Sequence, residues 1–216
     1  MLEAHDLQFT HAARPPLLSR LSLRIEAGEV VGLYGDSGSG KTTLGRLLAG
    51  ELRPQAGQVT LDGNDLPKQG LHPVQRLSQA PEHAVNPRWR IGRILHEAWT
   101  PPDAMLEAFG IGRDWHSRFP HELSGGELQR VNVVRALAPG IRYLIADEIS
   151  AMLDTLTQAE LWRALLGETE RRGLGLLIIS HDTDLLARLA QRCYRLEDGS
   201  LTRSPVSLSS GTSSPA

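Results

Sequence analysis

The chain has 216 residues, of which 40% are hydrophobic and 22% charged, with a formal net charge of −2. These values fit a soluble globular domain with a sizeable core and room for an inserted sub-domain. No global electrostatic attraction to nucleic acid or anionic lipid is indicated. The single cysteine, Cys193, excludes an intramolecular disulfide and suits a reducing compartment. Met1–Asp6 has neither the basic start nor the apolar stretch of a signal peptide. No apolar run approaches the roughly 20 residues that span a bilayer, so work at a membrane would go through docking onto another subunit.

Taken in order, residues 2–9 and 20–26 read as short strands joined by a turn at Arg14-Pro15-Pro16. Glu29–Tyr34 is a short apolar run that feeds a glycine-rich turn. Lys41–Ala49 carries Leu44, Leu47 and Leu48 at helical spacing, with Gly50 as its stop. Residues 57–61 read as a strand, with Asp62-Gly63 as the turn behind it. From Pro81 to Pro120 the pattern changes to prolines, three of the four tryptophans and helical patches, an insert that ends with a helix over Gly126–Leu137. Alternation then returns: strand Tyr143–Ala146, helix Leu156–Arg171, strand Leu174–Ile179, helix Asp182–Ala190, strand Cys193–Leu196. This alternation predicts a mostly parallel α/β sheet. Residues 203–216 are rich in Ser, Pro, Gly and Thr and are expected to be disordered.

Three segments carry chemistry. Gly35-Asp36-Ser37-Gly38-Ser39-Gly40-Lys41-Thr42 fits G-x-x-x-x-G-K-[ST] between a strand and a helix. Its glycines let the backbone aim several N–H groups at one anion, and the helix adds its positive end. Lys41 supplies a point charge for the β- and γ-phosphates, and Thr42 a hydroxyl for Mg²⁺; Thr43 follows within the same phosphate site. Second, the strand Tyr143–Ala146 leads into Asp147-Glu148 at the carboxyl edge of the sheet, where ligands of open α/β sheets bind. Asp147 can reach Mg²⁺ there, and Glu148 can polarise an attacking water. Third, Ser124-Gly125-Gly126 opens another helix N-terminus suited to an anion. One nucleotide does not need two such helices from one domain. A two-fold dimer would place each ATP between the loop of one chain and the Ser-Gly-Gly turn of the other.

The chain resembles the ATP-binding subunit of an ABC transporter. Leu123–Arg130 is similar to the family signature L-S-G-G-x-x-Q-R, Gly35–Thr42 to its Walker A motif and Tyr143–Glu148 to its Walker B motif with the catalytic glutamate. Gln79 falls at the Q-loop glutamine, His181 at the switch histidine and Leu153-Asp154 at the end of the D-loop, all in order over residues 2–202. The resemblance implies a P-loop core of ABC type, with a small antiparallel β sub-domain and a helical sub-domain inserted at about 81–138. It implies ATP and Mg²⁺ as ligands. Gln79 would link Mg²⁺ and the attacking water to the helical sub-domain. His181 would bind the γ-phosphate and position Glu148. Ser124, with Gly125 and Gly126, would reach the γ-phosphate from a second chain, and Asp154 would align the two sites. The sequence departs from the family at His11, where an aromatic ring that stacks on adenine is usual, with Phe9 two residues earlier. It also has Ile149 where proline is common and Ala151 in place of the D-loop serine.

After Gln79, Asn86-Pro87-Arg88 followed by Ile91-Gly92 is similar to the peptide and nickel importer group. The resemblance implies an energy-coupling subunit for short peptides, nickel or a chelated metal. It would lie on the cytoplasmic face of the membrane, with permease subunits, a second ATPase subunit and, indirectly, a solute-binding protein as partners, and no nucleic acid. His83–Trp99 is the expected docking surface, with Trp89 and Ile91 as exposed anchors. The alternative is the ATPase of a soluble multi-subunit system such as a phosphonate carbon–phosphorus lyase. His72, His83, His96, His116 and His121 show no compact ligand spacing, and no metal site is expected of them.

Overall fold

The computed structural model describes residues 1–11 and 16–204. Arg14 and Pro15 of the expected turn, and residues 205–216 of the expected tail, lie outside them. The chain begins with strands β1 (Leu2–Phe9), β2 (Leu18–Ile25) and β3 (Val30–Tyr34), then helix α1 (Lys41–Leu48). Strands β4 (Ala56–Leu61), β5 (Asn64–Asp65) and β6 (Val74–Leu77) follow. Helices α2 (Ile91–Leu95), α3 (Asp103–Ala108) and α4 (Gly125–Ala136), with short 3₁₀ turns between them, occupy the stretch before β7 (Tyr143–Asp147). The remainder is α5 (Thr155–Arg172), β8 (Gly175–Ile179), α6 (Thr183–Leu189), β9 (Arg192–Glu197) and β10 (Ser200–Ser204).

Two sheets result. One is antiparallel, in the order β2-β1-β4-β5; the other runs β10-β9-β3-β8-β7-β6. In the second, β9, β3, β8, β7 and β6 are parallel, and β10 returns antiparallel on β9. Arg203 and Ser204 pair with Tyr194 and Cys193, so they belong to this edge hairpin and not to the tail.

Strand alternation divides the central sheet between two cores. Leu144 and Ala146 of β7 and Leu176 and Ile178 of β8 pack with α2–α5 on one face. Tyr143, Ile145, Leu177 and Ile179 face the other way, onto α1 and the antiparallel sheet. Both faces are covered, which is why β7 and β8 are buried at every position. Ile91 is fully buried in the first core, so it is not the exposed anchor expected. Its helix is too short to hide an apolar residue by itself and hides it against α4 and the neighbouring 3₁₀ turn. Trp89 is half-buried, with the Arg93 guanidinium 3.8 Å above its ring. Burial pushes the Cys193 thiol up, as suits a small core residue.

Candidate active site

The parallel strands β3, β7 and β8 end side by side, and the residues just past their carboxyl ends meet in one cavity of about 540 Å³. From β3 the chain turns at Gly35, with φ +151° and the Leu196 carbonyl oxygen only 2.3 Å from where a Cβ would stand. A side chain there has no room. Gly40, with φ +107°, starts α1 without a side-chain cap. The first-turn N–H groups of α1 are therefore open to an anion. Lys41 Nζ donates to Gly35 O at 2.7 Å and Asp36 O at 2.9 Å, which keeps the ammonium over the loop. Gly35, Ser37, Gly38, Gly40, Lys41, Thr42 and Thr43 line the cavity; Asp36 and Ser39 do not, and Ser39 Oγ is buried.

Asp147 closes β7 and is only 4% exposed. Thr42 Oγ1 donates to its Oδ1 at 3.2 Å, and Arg76 Nη1 to its Oδ2 at 3.4 Å. Burial raises the Asp147 carboxyl above the usual range, against the opposing pull of the Thr42 hydrogen bond and the Arg76 charge. Glu148 has φ +55°, a left-handed conformation costly for a residue with a Cβ. Its N–H donates to Ile179 O at 3.0 Å, so the end of β8 holds the turn. The turn delivers Glu148 Oε2 to within 3.0 Å of His181 Nδ1, from the residue two past the end of β8. Gln79, in the loop after β6, completes this wall. His11 and Leu17 line the cavity too; the His11 ring meets Phe9 edge-on, with centroids 5.1 Å apart.

The remaining expected residues are not in this cavity. Ser124, Gly125, Gly126 and Asp154 line a second hollow of about 470 Å³ with Arg130, Met152 and Leu153. Ser124 caps α4: its Oγ accepts from Glu127 N at 3.3 Å, and Glu127 Oε2 accepts from Ser124 N at 2.7 Å. Asp154 caps α5, accepting from Leu156 N and Thr157 N at 3.1 Å each, and hydrogen bonds from Thr157 hold its carboxyl below the usual value. In the chain between Glu148 and Met152, Ser150 accepts from Trp162 Nε1 and Gln158 Nε2, both at 3.0 Å.

The structure thus sorts the expected residues into two groups on separate elements. It adds Leu17 and Arg76, which sequence reading missed. Leu17 precedes β2 without any motif. Arg76 stands within Val74-Gln75-Arg76-Leu77, a strand too short and too polar to be recognised by alternation.

Known proteins resemble this chain in sequence and in fold. The family profile described as "ABC transporter" matches residues 18–151. The nickel import ATP-binding protein NikE of Rhodospirillum rubrum is 35% identical over 204 residues, covering 86% of this chain and 74% of that protein. A putative peptide import ATP-binding protein of Brucella abortus is 33% identical over 204 residues, covering 85% of this chain and 61% of that protein. Among solved structures, a dimeric bacterial ABC transporter cassette, MJ0796, superposes with TM-score 0.80 at 22% identity, over 96% of this chain and 99% of that one. A second structure of the same cassette, described as a post-hydrolysis state bound to ADP and Pi, superposes equally well.

Proposed function

The chain belongs to the ABC transporter family, and from that premise we propose that it is the ATP-hydrolysing subunit of an importer for nickel, chelated metal or short peptides. The observation that carries the catalytic part is the Glu148–His181 contact at 3.0 Å on the wall of the phosphate-loop cavity. A carboxylate and an imidazole from adjacent strand ends face the place where α1 and Lys41 would hold the phosphates. Glu148 takes a proton from water as its oxygen attacks the γ-phosphorus. The bond to the ADP oxygen breaks, and ADP and phosphate are released. His181 holds the Glu148 carboxylate in place. Lys41 and the helix N-terminus offset the negative charge that gathers on the phosphate oxygens.

The donor set of the Thr42 hydroxyl, the Asp147 carboxylate and the Gln79 amide is all oxygen, and Thr42 and Asp147 already stand 3.2 Å apart, which suits a hard cation. When bound there, Mg²⁺ would screen the phosphate charge and polarise the γ-phosphate.

Ser124 lies in a hollow distinct from the loop of its own chain, which supports a second copy or a related subunit completing each nucleotide site. Met152 and Leu156, 82% and 70% exposed beside that hollow, are apolar surface that such a partner would cover. Among the described residues no helix is long and apolar enough to cross a membrane, so coupling to a permease would be peripheral. The relatives named for import favour this reading over a soluble carbon–phosphorus lyase ATPase. Two measurements test it. Purified chain is expected to release phosphate from ATP in a Mg²⁺-dependent reaction that Glu148→Gln suppresses. Tagged chain is expected to co-purify from detergent extracts with permease subunits; recovery with soluble enzyme subunits instead would overturn the transport reading.

A further inference from the structure

Arg76 on β6 is in register with Ile145 of β7, so it shares the sheet face of Ile145 and Asp147. Tyr143, Ile145, Leu177 and Ile179, the β7 and β8 residues on that face before the strand ends, are apolar. An arginine among them needs a special arrangement, and three segments provide it. Gly45 of α1 lets the helix approach this face closely: a Cβ built on it would crowd Ile179 Cδ1 at 3.2 Å and Ile145 Cγ2 at 3.3 Å, and would touch the Arg76 stem at 3.6 Å. Glu51, just beyond α1, grips the guanidinium by a fork, accepting from Nε at 2.9 Å and Nη2 at 3.0 Å. The fork leaves Nη1 for Asp147 Oδ2 at 3.4 Å, while Thr42 takes Oδ1. The side chains of Arg76 and Asp147 are 15% and 6% exposed, so solvent screens the pair little.

We propose that Arg76 is a positioning residue for the cation site, a tethered positive charge that pins Oδ2 of Asp147, presents Oδ1 beside Thr42, and competes electrostatically with the divalent ion. The inference rests on the nucleotide reading above. A fixed charge on one carboxylate oxygen repels a divalent ion at the other. It also supplies, without that ion, part of the positive field that nucleotide phosphates require. The chain would therefore bind nucleotide with less dependence on Mg²⁺, and need more Mg²⁺ to fill the site, than the same chain without this arginine.

The test uses the intact purified chain and two binding measurements without turnover: fluorescence of an ATP analogue in EDTA, and Mn²⁺ binding to the nucleotide complex by electron paramagnetic resonance. Arg76→Met is expected to lower half-saturating Mn²⁺ about tenfold, the scale of one repelling charge a few ångströms further away, and to weaken analogue binding in EDTA. Arg76→Lys keeps the charge without the fork and is expected to stay near wild type. Glu51→Gln leaves Arg76 in place but removes its counter-charge, and is expected to raise half-saturating Mn²⁺. A merely structural role would move Arg76→Met and Glu51→Gln in the same direction. Unchanged or raised Mn²⁺ half-saturation in Arg76→Met, with a melting curve showing it folded, overturns the proposal. If Arg76→Met does not fold, a fall with Glu51→Gln overturns it. A wild-type chain that binds no nucleotide analogue would overturn the nucleotide reading itself, and the proposal with it.

Discussion

Two helices of this chain begin with glycine-rich turns, and they begin differently. The N-terminus of α1 has no side-chain cap, and its loop is shaped by Gly35 and Gly40 in conformations closed to other residues. The N-terminus of α4 is partly satisfied by the reciprocal pair Ser124 and Glu127, each of which takes the other's N–H. The first leaves its first-turn N–H groups without a side-chain acceptor, a position suited to an anion. The second is a self-capped helix that keeps for an anion what the cap leaves over, the Ser124 hydroxyl proton, the Gly125 and Gly126 N–H groups and its dipole. On the proposed function, this difference implies unequal work. The loop of one chain would hold the nucleotide, and the Ser-Gly-Gly turn of another would detect that it is held.

The largest effect that would sharpen this comparison is on turnover. Glu148→Gln keeps the shape of the site and removes the base, so steady-state phosphate release is expected to fall about 10²–10⁴-fold while ATP still binds. Gel filtration with ATP should then show a stable dimer, and an unaltered rate would remove Glu148 from its role. Lys41→Ala acts earlier, on the loop end alone. The lost charge-assisted contacts should weaken ATP binding to the single chain about 10–100-fold by equilibrium titration. Ser124→Ala should leave that single-chain affinity intact, abolish the ATP-dependent dimer and lower thermal stability by about 1 kcal/mol through the lost cap. Weakened binding to the single chain by Ser124→Ala would break the division of labour just drawn. The smallest effect lies far from both helices. Arg142, with the Met1 ammonium, holds the exposed Asp62 carboxyl down at about 2, from an ordinary 3.8. The unfolded chain takes up this proton first as pH falls. The contribution of Asp62 is therefore complete above about pH 4 and is lost as pH falls toward 2. The melting-temperature gap between wild type and Asp62→Asn should narrow over that interval.

What the sequence revealed follows from how local each feature is. The phosphate loop, the Asp147-Glu148 step and the Ser-Gly-Gly turn are contiguous, and their residue types are dictated by backbone shape and charge at one point in the chain. Strands β7 and β8 were legible because burial on both faces makes them continuous apolar runs. By contrast, β6 and β10 are polar, and are strands because β7 and β9 present open edges beside them. Ile91 sits in a stretch of prolines, arginines and tryptophans that looks like surface, and only the meeting of α2 with α4 makes it core. Arg76 was invisible for the same reason: its partners Glu51 and Asp147 are brought to it by the fold, 25 and 71 residues away in the chain.

The hydrogen bond from Trp162 to Ser150 has an optical consequence. Trp162 is 3% exposed, whereas Trp89, Trp99 and Trp115 are only partly buried, so its indole should contribute the bluest component of the emission. Its acceptor lies two residues past Glu148, in the segment that leads to the Asp154 cap. Any repacking of that segment when a partner closes over it would alter the field on the indole. Trp162 thus stands as an intrinsic fluorophore against the segment that runs from Glu148 to Asp154, and closure by a partner should register as a spectral shift without any label.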